Sequence, residues 1–303
     1  MIAIIDLYQK ELLKVNGFSP STVETYTLSI NAFCRFAENE LQTNPVNVNG
    51  PQLLKWILYL KNTGIGYSRI ENHHYALKSF FMFVKKTGMI DINPAEALPL
   101  LITRRRQITK PISTKNAFKL LDSFDQSTWH GLRNYTMVSL LWALGLRTSE
   151  LTGLKVRSFE TGHGKRVGLL RIRGKNKKQR ALFVVDRLFD ELIRYLSHPR
   201  APNKKYAPLF MADTKTTAIS NNRVQRLVKD QAKKAGTVAN VTPRVLRHSF
   251  ATEMYHQNVP LSAIQAMMGH DSIADTSVYI HVSDKLKQLA LDQILISRRF
   301  SWQ

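Results

Sequence analysis

Four short clusters in this chain hold side chains suited to gripping and attacking a phosphate group. In Gly145-Leu146-Arg147-Thr148-Ser149-Glu150-Leu151 an arginine follows an apolar run and directly precedes a helix start. A planar guanidinium there is able to hold two phosphate oxygens, reinforced by backbone N–H groups of the next turn. A plain surface pair between Arg147 and Glu150 is the competing reading. The turn Gly174-Lys175-Asn176-Lys177-Lys178 offers lysines at a hairpin tip, and a lysine desolvated beside a phosphate is able to give a proton to a departing alkoxide. In Thr242-Pro243-Arg244-Val245-Leu246-Arg247-His248 the threonine is a natural N-cap and the proline a natural first helical residue. Arg244, Arg247 and His248 then share one helix face while Leu246 turns inward. Two arginines so placed repel unless an anion lies between them, so an anion site is expected. The fourth cluster runs from Met268-Gly269-His270 to Tyr279. His270 follows an apolar helix at a glycine stop, a place where a simple C-terminal cap also favours histidine. Alone, Tyr279 reads as core. Near several cations its phenolate is stabilised, and attack on a phosphodiester gives a covalent phosphotyrosine that keeps the bond energy for rejoining. The other clusters supply donors for the extra negative charge of the transition state.

Helices joined by short turns account for the first hundred residues. A first helix is expected near residues 3 to 15. Ser19-Pro20-Ser21 with Glu24 caps a second, in which Val23, Tyr26, Ile30, Phe33 and Ala37 recur at helical spacing. Pro51 opens a third containing Leu53, Leu54, Trp56, Ile57 and Leu60, and Ser68 with Glu71 forms a capping box for a fourth that buries Ile70, His73, Leu77, Phe80, Phe81 and Val84 before Gly88. His73 and His74 lack a carboxylate or cysteine at ligand spacing and read as structural or surface groups. After a Pro-bounded basic segment, residues 99 to 111, mixed structure is expected: helices at 131–144 and from Thr148, strands at 166–173 and 180–185, and helices near 186–196, 220–235, 243–257, 260–268 and 284–295. The boundaries that follow are 1–98 for a helical domain, 99–111 for a linker and 112–303 for a mixed α+β domain with a C-terminal helix.

Charge is distributed unevenly across that division. The net +22 places nine Lys or Arg against eight Asp or Glu in residues 1 to 100, leaving +21 for the remainder. Such an imbalance favours a polyanion, and a nucleic-acid backbone fits better than a membrane because no lysine-rich amphipathic helix stands out. Residues 161 to 185 carry eight basic side chains and no acid, which suits a hairpin pressed against phosphates through Lys177, Lys178 and Arg180. Arg104, Arg105 and Arg106 give the linker the same character. No run approaches eighteen apolar residues, and the opening MIAIIDLYQK meets an acid at Asp6, so a cytoplasmic protein is expected. The one cysteine, Cys34, excludes an internal disulfide and reads as core between Phe33 and Phe36.

Taken in this order, the four clusters resemble the tyrosine recombinases, or phage integrase family, and especially their compact bacterial members of the XerC and XerD kind. The resemblance covers residues 113 to 295, and the helical first hundred residues, with Phe18-Ser19-Pro20-Ser21-Thr22 and Tyr26, look like that family's core-binding domain. It implies an all-α four-helix core-binding domain followed by a mixed α+β catalytic domain, closing as a clamp around DNA. It implies Arg147, Lys175, Arg244, Arg247, His270 and Tyr279 as catalytic residues, with Glu150 and His248 in support. It also implies strand cleavage through a 3′-phosphotyrosine, a Holliday junction and no metal, nucleotide or other cofactor. The implied partner is a double-stranded DNA recombination site, held by a homotetramer on paired sites or a heterotetramer with a related recombinase, with helix 284–295 set against a neighbouring subunit. Arg244 departs from the family, which usually has histidine there. Arginine donates to phosphate but stays protonated at neutral pH, so it cannot exchange a proton. A catalytically impaired DNA-binding protein of the same fold and an enzyme like the type IB topoisomerases are the alternatives.

Overall fold

The computed structural model describes residues 1–96, 98, 110–162, 165–174, 179–213, 217–237 and 240–269. Contacts divide the chain into two units, Met1–Gln107 and Ile108–Gln303.

Among the described residues the first unit holds four α-helices: α1 (Ile2–Lys10), α2 (Pro20–Asn39), α3 (Gly50–Asn62) and α4 (Tyr67–Lys86). Ser19 caps α2 by accepting the Thr22 N–H at 3.2 Å, with Pro20 in the first helical position. At α3 a reciprocal capping box forms between Asn49 and Gln52. The capping box expected of Ser68 and Glu71 does not form. The helix α4 starts at Tyr67 behind Gly66 with no side-chain cap, which puts Ser68 inside the first turn. Leu53, Trp56, Ile57 and Leu60 make one buried stripe on α3, whereas Leu54, expected beside them, lies off the stripe and is 42% exposed. They meet Phe33, Phe36 and Ile30 of α2 and Leu77, Phe80 and Phe81 of α4 in one apolar core. Both His73 and His74 are buried in α4, and that burial holds their pKa values below the usual histidine range.

In the second unit the sequence reading passed over α5 (Thr114–Asp122), whose buried residues are only Ala117, Leu120 and Leu121. Too few apolar positions mark so short a helix for periodicity to reveal it. Thr128 caps α6 (Trp129–Leu144), which is apolar on nearly every side and packs against α5, α8 (Asp186–Leu196) and α10 (Pro243–His256). The helix stops at Gly145, whose φ of 60° lies in the left-handed region. After the five-residue α7 (Thr148–Thr152) comes an antiparallel sheet in the order β1 (Phe159–Glu160), β2 (Val167–Arg173), β3 (Gln179–Val185). Gly168, Leu170 and Ile172 alternate inward on β2, as do Leu182 and Val184 on β3. The remaining helices among the described residues, α9 (Asn221–Lys234), α10 and α11 (Leu261–Met268), follow the expected spans closely, and Thr242 caps α10 by accepting the Val245 N–H. The helix expected at 284–295 lies outside the described residues. No helix among the described residues is long and apolar enough to cross a membrane.

A side chain at Gly145 meets two penalties. Its φ favours glycine, and an added Cβ lies 2.4 Å from Phe250 Cδ1. Gly145→Ala is expected to destabilise the second unit by about 2–4 kcal/mol, combining the left-handed backbone with overpacking. Chemical denaturation of the two proteins checks this, and equal midpoints would refute the packing account.

Candidate active site

Two of the arginines expected as catalytic, Arg147 and Arg247, converge with Arg180 on one carboxylate. Gly145 ends α6 so that the chain turns back at Leu146, which is fully buried, and brings Arg147 to the N-cap of α7. Glu150, at the third position of α7, accepts the Arg147 backbone N–H at 2.8 Å through Oε2. Its Oε1 accepts Arg147 Nη1 at 3.0 Å. Arg180, near the start of β3, reaches the same carboxylate with both ends of its fork, Nη1 to Oε1 at 2.7 Å and Nη2 to Oε2 at 2.9 Å. Arg247 on α10 brings Nη1 to 3.7 Å from Oε2. Each oxygen of Glu150 therefore accepts two hydrogen bonds, which fills its acceptor capacity. With the side chain only 2% exposed, burial pushes the Glu150 pKa up. The Arg180 hydrogen bonds, the Arg147 N–H and the charges of Arg180 and Arg247 outweigh that effect and hold it below the usual carboxylate range. The Arg147–Glu150 pair exists, but as part of a buried network rather than as a surface pair.

The same guanidiniums also bind the end of α11. Arg180 Nε donates to Met267 O at 2.8 Å, Arg247 Nη2 to Met268 O at 2.7 Å and Arg147 Nη2 to Gly269 O at 2.9 Å. Arg247 Nη1 donates to Gly145 O at 2.6 Å, so one side chain joins the ends of α6 and α11. Three cations at a helix C-terminus match the negative end of its dipole and satisfy carbonyls that the helix leaves unpaired. Gly269 makes the close approach possible, since an added Cβ there lies 2.8 Å from Arg180 Nη1.

Arg147, Glu150, Arg180 and Arg247 are thus brought together, with His248 buried next to Arg247 on α10. Arg244, one turn before Arg247 on α10, is not part of this hydrogen-bond network: it is exposed and has no hydrogen bond or ion pair among the described residues. Lys175, Lys177, Lys178, His270, Tyr279, Arg104, Arg105 and Arg106 lie outside the described residues. Sequence reasoning missed the main-chain acceptors Gly145 O, Met267 O, Met268 O and Gly269 O, for which the glycine stops were the available signal. It also grouped Arg180 with the phosphate-facing hairpin. Alternation along β3 was the signal for its inward direction, since Arg180, Leu182 and Val184 share one face and Arg180 pairs across from buried Ile172.

Residues 110–285 match the profile of the phage integrase family, and residues 5–88 that of the phage integrase N-terminal SAM-like domain. The tyrosine recombinase XerC of Thermodesulfovibrio yellowstonii is 29% identical over 279 residues, covering 89% of this chain and 88% of its own. Among solved structures, the XerH site-specific recombinase bound to difH substrate in a pre-cleavage complex superposes with a TM-score of 0.67 at 22% identity, over 94% of this chain and 84% of its own. A Tn1549 transposon integrase fragment in complex with transposon right end DNA gives a TM-score of 0.69 at 20% identity, over 96% and 99%. At those identities the structures show a common fold.

Removing the negative charge at the centre of the arginines tests the network. Glu150→Gln is expected to lower stability by about 3–5 kcal/mol at neutral pH, the usual cost of taking one partner from a buried ion pair. A carboxylate with a depressed folded pKa contributes fully above its unfolded value of about 4.3, and the contribution is lost as pH falls through the lower folded value. The stability gap between the two proteins, read by urea unfolding, should therefore narrow below about pH 4. A gap that stays constant into acid would refute the charge account.

Proposed function

The chain belongs to the phage integrase family, and on that premise we propose that it is a site-specific tyrosine recombinase that cuts and rejoins double-stranded DNA. The observation that carries the reading is the arginine cluster. Three guanidiniums around one carboxylate leave a local charge of +2, set by residues whose backbones are fixed by helix ends and a strand. A phosphodiester under attack gains a second negative charge on its non-bridging oxygens, and preorganised cations of that total charge stabilise it without reorganising at the moment of reaction.

In this reading Arg147 and Arg247 hold the scissile phosphate, with Arg244 and His270 beside them and His248 in support. The Tyr279 Oη attacks phosphorus and loses its proton, the bond to the 5′ oxygen breaks, and Lys175 protonates that oxygen as it leaves. The product is a 3′-phosphotyrosine and a free 5′ hydroxyl. Attack by a 5′ hydroxyl of a partner strand reverses the step and releases Tyr279, so no external energy is needed. Two such exchanges through a Holliday junction, carried out by four copies or by two copies with two of a related recombinase, join the paired sites. Lys177 and Lys178 at the hairpin and Arg104, Arg105 and Arg106 in the segment 99–111 supply contacts to the DNA backbone. That segment separates a core-binding domain, 1–98, from the catalytic domain, 112–303. In this reading the reaction uses no cofactor and proceeds in the cytoplasm, where the DNA is.

Incubation with a pool of nicked duplexes of randomised sequence tests the reading, because the nick releases the short 5′-hydroxyl fragment and traps the covalent product. Recovery of protein-linked DNA after denaturation is expected for the wild type, with sequencing giving the site. Tyr279→Phe should bind the recovered duplex with its affinity little changed yet trap none of it; persistent trapping would move the nucleophile elsewhere. Arg244→Ala should slow single-turnover trapping by about a hundredfold, on the scale of about 3 kcal/mol for one lost donor. Its binding should weaken far less, because one contact is a small part of a long basic interface. Equal losses in trapping and binding would refute a clamp at Arg244.

A further inference from the structure

We propose that Arg180 is a positioning residue for strand cleavage, acting through Glu150, and not one of the contacts to the DNA backbone. The inference rests on the recombinase reading above. Arg180 has a strand position that points inward, a side chain only 13% exposed and three hydrogen bonds that fully define its orientation. Two of these go to the carboxylate that also holds Arg147 and faces Arg247, and the third goes to the last turn of α11, immediately before the residues that lead to His270. On the other side, Arg180 lies five residues after Lys175 in the same hairpin. One guanidinium therefore links the hairpin that carries the lysine, the carboxylate that orients the phosphate-holding arginines and the helix end that leads to the late histidine. A fork-shaped cation is required, because a lysine ammonium cannot span both carboxylate oxygens and also reach Met267 O along the strand.

Glu150 also gives Arg180 a signature that a packing residue lacks. Among the described residues the charged groups facing Glu150 are Arg147 beside α7, Arg180 on β3 and Arg247 on α10. Loss of Arg180 removes the largest of the interactions that oppose burial, so Glu150 takes up a proton at a higher pH and releases Arg147.

The experiment compares wild type, Arg180→Lys, Arg180→Gln and the Arg180→Gln/Glu150→Gln double variant on the nicked duplex recovered by trapping. Three readouts are taken: single-turnover trapping against pH, duplex binding against salt, and thermal unfolding. Arg180→Lys, which keeps the charge, is expected to fold and to bind with an unchanged salt dependence while trapping about tenfold to a hundredfold more slowly, the scale for misplaced reacting groups. Arg180→Gln should move the acid limb of the trapping rate upward in pH, and the double variant should lack that limb. A salt slope reduced by about one, with weakened binding, would make Arg180 a phosphate contact and overturn the proposal. So would trapping at the wild-type rate in Arg180→Lys, an acid limb that does not move, or failure of both single variants to fold, each of which leaves Arg180 a framework residue at most. Absence of trapped DNA with the wild type is a different outcome: it removes the recombinase reading itself and this proposal with it.

Discussion

One buried carboxylate, surrounded by guanidiniums, sets the terms on which the second unit packs. Arg147, Arg180 and Arg247 come from the α6–α7 corner, a strand and α10, and without Glu150 their like charges would resist being gathered at the ends of α6 and α11. Glu150, in turn, would not remain ionised at 2% exposure without them. The network is favourable only when complete, since both of its halves are costly alone. That dependence explains why the surrounding structure is so fully determined: α6 must end at a glycine, Leu146 must be buried to carry Arg147 round, and α11 must end where its carbonyls meet three donors.

The residue types at this site were legible before the structure, whereas the directions they face were legible only in part. Thr242-Pro243 announced α10, Gly145 announced the end of α6, and the basic hairpin announced two antiparallel strands, because caps, left-handed turns and period-two alternation are local properties of the chain. Glu150 was visible as an acid next to an arginine. Its burial was not, because that depends on Arg180 and Arg247, which are distant in sequence. Main-chain acceptors are hidden for a different reason: Met267, Met268 and Gly269 contribute carbonyls, and a carbonyl has no residue identity to read. The two-residue β1 escaped notice because its pairing, Phe159 with Leu170 and Glu160 with Leu169, is a tertiary fact.

Basic charge serves two separate purposes in this chain. Arg180 is committed to protein acceptors, and so is Arg133, which is 3% exposed and donates to Met211 O and Asp213. Arg244, by contrast, is exposed and has no hydrogen bond or ion pair among the described residues. The excess of +21 after residue 100 therefore overstates the charge free to meet a polyanion, since part of it is spent on architecture. What the composition does convey is sign and location, and +18 of that excess falls on Ile108–Gln303, the unit that holds the arginine cluster.

Cys34 lies in the core of the helical first unit at 5% exposure. Burial, followed by the charge of Glu38, pushes its thiol up to about 12. Alkylating reagents need a thiolate they can reach, and this chain has no other cysteine. The unaltered sequence is thus already a nearly silent background for thiol chemistry. A fluorophore or spin label attached to a cysteine introduced on the surface reports from one chosen position, with the packing of the helical core left as it is.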